Sequence, residues 1–125
     1  MATVREIVFD SVRPSALARF WAAVLDGYEV RPYDDAEVER LAAKGLTPET
    51  DPTVAVDGPG PTLFFQQVQE RKTARNRVHL DVEADSRRRE VERLCALGAS
   101  IRRESEGYTV MQDPEGNEFC VVDRR

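Results

Sequence analysis

The chain has 125 residues and a formal net charge of −5, with basic side chains interspersed among the acids. That length is one domain, enough to bury roughly two thirds of the surface the unfolded chain would expose, and the charge balance offers no footprint for nucleic acid or an anionic membrane. No run approaches the ~20 apolar residues that cross a bilayer, and Met1-Ala2-Thr3-Val4-Arg5-Glu6 lacks the basic-then-apolar order of a secretory leader, so a cytoplasmic protein without a membrane partner is expected.

Residues 6 to 10 alternate, with Ile7 and Phe9 on one face and Glu6, Val8 and Asp10 on the other, the pattern of a half-buried strand. Pro14 follows at a helix-start position, and Leu17, Phe20, Trp21, Val24 and Leu25 recur at helical spacing up to Gly27. Tyr28 to Arg31 then reads as a strand. Asp34 to Gly45 reads as a short inserted helix with an acidic start, Val38, Leu41 and Ala42 on one face, and a glycine stop. Val54 to Val56, the Asp57-Gly58-Pro59-Gly60-Pro61 turn and the strand Thr62 to Val68 complete the segment. The charged stretch Glu70 to Arg75 reads as a linker.

From residue 77 the same order of events recurs. Leu80 and Val82 alternate with His79, Asp81 and Glu83, Asp85-Ser86 starts a helix, Val91, Leu94 and Cys95 share one helix face, and Gly98 stops it. Strands over Ser100 to Arg103 and Tyr108 to Gln112 lead into the turn Asp113 to Asn117, where Pro114 sets φ and Gly116 supplies a positive φ before a last strand. Two copies of one strand, helix and three-strand unit are therefore expected, neither able to bury its apolar face alone. Cys95 and Cys120 both fall in apolar segments, where reduced thiols packed as small hydrophobes are expected.

A tandem βαβββ arrangement with an Asp-Pro-x-Gly-Asn turn before the final strand resembles the glyoxalase, bleomycin-resistance and dioxygenase superfamily, also called vicinal oxygen chelate. The runs Arg13 to Trp21, Asn76 to Asp81 and Asp113 to Val122 look like actinobacterial glyoxalase-like proteins. The resemblance implies a single α+β domain over 1–125, with one module over 4–69 and another over 76–124. Their curled mixed sheets would form a U-shaped cleft, with the extra short helix inserted in the first module. It also implies pairing into a homodimer.

In metal-using relatives, inward side chains of the first and last strand of each module bind the ion. Here those places fall on Glu6, Gln66, His79 and Cys120, with Glu118 two residues before Cys120 on the same face. The metal set implied by the resemblance is thus drawn from Glu6, His79, Glu118 and Cys120, around divalent iron, manganese, nickel or zinc. His79 and Asp81 are the catalytic candidates, and Phe64, Gln66, Tyr108 and Met111 the candidate walls for a small-molecule ligand. Three functions stay open: a metal-assisted lyase, isomerase or dioxygenase-type enzyme, a metal-free protein that binds or confers resistance to an antibiotic-like compound, and a metal-free enzyme using His79 or Asp81 as general acid and base. For His79 itself the alternative is a strand histidine hydrogen-bonded to a carboxylate.

Overall fold

The computed structural model describes residues 1–124. The chain forms two compact units, Met1–Arg71 and a second that begins at Lys72. The architecture is α+β, and each unit contains a βαβββ module around one four-stranded mixed sheet. Among the described residues no helix is long and apolar enough to cross a membrane.

In the first unit, strand β1 (Glu6–Ser11) is followed by helix α1 (Pro14–Val24), strand β2 (Glu29–Val30), helix α2 (Asp35–Ala42) and strands β3 (Thr53–Asp57) and β4 (Thr62–Gln67). The sheet order is β1-β4-β3-β2, with β1 parallel to β4 and the other pairs antiparallel. Strand alternation sends Phe9, Leu63 and Phe65 to the face that α1 covers. There the ring of Phe9 stacks on Phe65 at 4.9 Å and meets Trp21 at 5.4 Å. Trp21, Phe65 and Leu17 are buried, and removing each such side chain from water contributes roughly 1.5–3 kcal/mol.

Helix α2 starts as its acidic N-terminus suggests, with the Asp34 carboxylate accepting the Glu37 N–H at 2.8 Å. The turn after β3 has a definite steric cause. A Cβ on Gly58 would stand 2.4 Å from the Tyr28 ring, whose hydroxyl donates to the Pro61 carbonyl at 3.0 Å. That segment is a structural clasp.

The second unit runs β5 (Leu80–Ala84), α3 (Arg87–Leu97), β6 (Ser100–Ser105), β7 (Tyr108–Gln112) and β8 (Glu118–Asp123), with sheet order β5-β8-β7-β6. Ser86 caps α3 by accepting the Arg89 N–H, and Gly98, at φ 117°, ends it. Val91 and Leu94 are buried with Met111, Phe119 and Val121. Two expectations need correction here. Met111 is fully buried on the helix-covered face, because it lies an odd number of positions from Tyr108 and a strand sends such residues to opposite sides. Cys95 is an exposed free thiol: the apolar stripe of α3 narrows to Val91 and Leu94 and leaves Cys95 on its flank.

The turn before β8 is built around Asp113, which is 3% exposed. Its carboxylate accepts the backbone N–H groups of Glu115 and Asn117, both at 2.9 Å, and the Asn117 side-chain amide at 2.8 Å. This motif aims β8.

Candidate functional site

The face of the second sheet that α3 leaves open carries the candidate site. Strand β5 runs parallel to β8 with Asp81 opposite Cys120, and β7 runs antiparallel with Val110 opposite Cys120. Partners in register project to the same side, so Asp81, Cys120 and Val110 form one transverse row. His79 immediately precedes β5 and lies two residues from Asp81. Its Nδ1 stands 3.9 Å from Asp81 Oδ1.

A nitrogen of His79, a carboxylate oxygen of Asp81 and the Cys120 sulfur all lie within 4.8 Å of one another, and among the described residues no other group of three His, Cys, Asp or Glu side chains is gathered this way. Cys120 is 9% exposed. Burial, more than any other influence, holds its thiol pKa above the ordinary value; the charge of Asp81 and a hydrogen bond to it act in the same direction, and Arg103 opposes them. Without an ion, Cys120 is a protonated thiol beside a carboxylate.

Above this trio opens a cavity of about 400 Å³, walled by Tyr108, Val110 and Val122 and reached by Arg75 and Arg103. Glu118 lines it too, but its role is partly structural: its backbone N–H donates to the Asn76 side chain at 3.0 Å and its carboxylate accepts the Asn76 backbone N–H at 3.3 Å. Sequence reasoning passed over Asn76. Its place just ahead of His79 was the available signal.

The residues expected in the first unit have different surroundings. Glu6 is in register with Thr62 and pairs with Arg5 at 3.0 Å. Gln66 is opposite Asp10 and donates to its carboxylate at 2.9 Å. Glu6 stands before Pro14 as His79 stands before Arg87, so Val8 corresponds to Asp81. The partner of Val8 is Phe64, which therefore takes the place of Cys120 where Gln66 was expected to. The first unit thus has an apolar pair where the second has a carboxylate and a thiol. Phe64 lines a separate cavity of about 340 Å³, together with Tyr33 and with Leu41 of α2. Tyr33 donates to Asp51 at 2.7 Å, and burial together with that bond raises its phenol pKa.

A family model described as glyoxalase-like domain matches residues 6–122. Among curated proteins none matches. Solved structures similar to the chain include the fosfomycin resistance protein FosX of Mesorhizobium loti, 16% identical with a TM-score of 0.68 over 98% of this chain and 91% of that one. A glyoxalase/bleomycin resistance protein/dioxygenase family enzyme of Burkholderia phytofirmans is 16% identical, with a TM-score of 0.65 over 98% of each chain. A hypothetical protein of S. aureus is 14% identical, with a TM-score of 0.67 over 99% of this chain and 95% of that one. At these identities the likeness is one of fold.

Proposed function

Since the chain belongs to the glyoxalase-like domain family, we propose that the open face of its second sheet holds a divalent metal ion on His79, Asp81 and Cys120 and there binds a small organic molecule for a lyase, isomerase or dioxygenase-type conversion. The observation that carries this reading is the gathering of three unlike donor atoms within 4.8 Å of one another beneath a cavity. Imidazole, carboxylate and thiolate together suit zinc or iron, and nickel or manganese less well as sulfur is added. Ligands around a tetrahedral zinc ion stand roughly 3.5 Å apart, given bonds of about 2.0–2.3 Å, so the donors fit after closing by about 1 Å.

A bound ion supplies Lewis-acid polarisation of a substrate oxygen. The chain supplies the rest. Asp81 and the Cys120 thiolate balance a divalent charge, Tyr108, Val110 and Val122 exclude water from one side of the ligand, and Asn76 with Glu118 fixes the segment from which His79 projects. Glu118, on the cavity face beyond the donor trio, is the carboxylate available to hold a proton at the ligand. Glu6 and Gln66, in the first unit, take no part in this donor set.

A metal-free reading is favoured by one observation, the burial of the Cys120 thiol beside Asp81, which raises its pKa. In that form His79 stands beside Asp81 as a general base, or the cavity sequesters an antibiotic-like compound without chemistry. Native mass spectrometry of the protein taken directly from its producing cell separates the two and reports homodimer formation as well. A divalent ion at one per chain supports the metal reading; absence of any ion, with added zinc neither binding nor stabilising, contradicts it.

A further inference from the structure

The edge strand β6 is irregular in a way that bears on what this cavity accepts. Ile101 is opposite Met111, on the helix-covered face, whereas Arg103 is opposite Val110, on the cavity face. The register shifts between Ile101 and Arg103, leaving Arg102 as the extra residue of a bulge. In an unbroken ladder Arg103 would be opposite Thr109 and project with Ile101 and Met111. The bulge turns it over.

Its consequence is a continuous row across all four strands: Arg103, Val110, Cys120 and Asp81 in register from β6 to β5. The Arg103 guanidinium lies 6.0 Å from the centre of the Tyr108 ring. Stacking over a ring leaves the in-plane N–H edge of guanidinium free to meet a planar anion. Among the described residues no carboxylate is paired with Arg103, whereas Glu118 at the same cavity is tied to Asn76. Neighbouring strands stand about 4.8 Å apart, and Arg103 lines the same cavity as Val110 and the donor trio.

Charge points the same way. With a divalent ion balanced by Asp81 and the Cys120 thiolate, the remaining charged groups at the cavity are Arg75, Arg103 and Glu118, a surplus of one positive charge. We infer that the ligand is a small organic anion, bearing a carboxylate or similar oxyanion that Arg103 holds over Val110 while a neighbouring oxygen meets the metal, and that the bulge at Arg102 is what makes Arg103 the specificity-determining residue. This rests on the preceding reading for the ligand's place in this cavity and for the charge surplus, whereas the bulge and the position of Arg103 stand without the metal.

The test uses mandelate, an anion with vicinal oxygens and an apolar ring, against its neutral methyl ester, each titrated calorimetrically into the full chain with and without zinc. The zinc-loaded protein is expected to bind mandelate about tenfold more tightly than the ester, a difference that Arg103→Gln abolishes and Arg103→Lys partly restores, with zinc uptake unchanged in both variants. Deleting Arg102, the extra residue, should make the ladder regular with Arg103 still opposite Val110, and so keep the preference. An unaltered preference in Arg103→Gln, equal binding of the two probes by the unmodified protein, or no binding of either overturns the inference. Should the chain bind no zinc yet prefer mandelate through Arg103, the metal reading falls and the anion assignment stands.

Discussion

Asn76 and Glu118 hold each other at both ends: the Glu118 N–H donates to the Asn76 side chain at 3.0 Å, and the Glu118 carboxylate accepts the Asn76 N–H at 3.3 Å. The segment that carries His79 is thereby fastened to the first residue of the strand that carries Cys120. Residues that orient metal ligands matter nearly as much as the ligands. We expect Asn76→Ala to weaken zinc binding by about tenfold, with a stability loss of only about 1 kcal/mol in urea unfolding. Unchanged zinc affinity would show the clasp to be structural only.

The two thiols should behave differently. Cys95 is exposed and Cys120 buried, and the Cys120 pKa is raised, first by burial and then by Asp81. Iodoacetamide followed by peptide mass analysis should label Cys95 quickly at neutral pH and Cys120 slowly. Because the raised pKa keeps the reactive thiolate scarce, labelling of Cys120 should still be accelerating as pH passes the ordinary thiol value of 9.0. Zinc should protect Cys120 and leave Cys95 unaffected.

Gly58 should tolerate no side chain while Tyr28 is present. A Cβ there would overlap the Tyr28 ring at 2.4 Å, so Gly58→Ala is expected to destabilise by about 2–3 kcal/mol in chemical denaturation. In a double-mutant cycle with Tyr28→Ala, much of that loss should vanish. Additive losses would place the cause elsewhere.

Tyr33 links the first unit to alkaline pH. Its folded-state pKa is raised, chiefly by burial and next by the hydrogen bond to Asp51. A raised pKa contributes stability that is fully present below the ordinary value of 10.0 and is lost as pH climbs beyond it. Stability should therefore fall more steeply above pH 10 in the unmodified protein than in Tyr33→Phe, when thermal unfolding is followed across that range. Parallel curves would contradict the assignment.

Periodicity made the fold legible. Alternation over residues 6 to 10 and 79 to 83, helical spacing after Pro14 and Ser86, and turn residues at Gly98 and Gly116 each follow from local sterics. The face of a side chain was legible only where a strand is regular. His79, Asp81, Glu118 and Cys120 keep even spacing within their runs and share the cavity face, whereas Met111 was misplaced by parity relative to Tyr108. Arg103 escaped notice because a bulge is a property of two paired strands, and nothing in Ser100 to Ser105 alone marks it. The correspondence of Phe64, not Gln66, with Cys120 likewise depends on which residues of β1 and β4 pair. Asp81 was legible as a companion of His79, yet its closeness to Cys120 is set by the parallel register of β5 and β8.

The central claim is that His79, Asp81 and Cys120 form one metal site, and a zinc titration of the metal-stripped full chain, followed by native mass spectrometry and calorimetry alongside His79→Ala, Asp81→Asn and Cys120→Ser, tests it most directly. One zinc ion per chain is expected, with each substitution weakening binding by at least about tenfold. No zinc uptake by the unmodified chain, or affinity in all three variants equal to that of the unmodified chain, would contradict it.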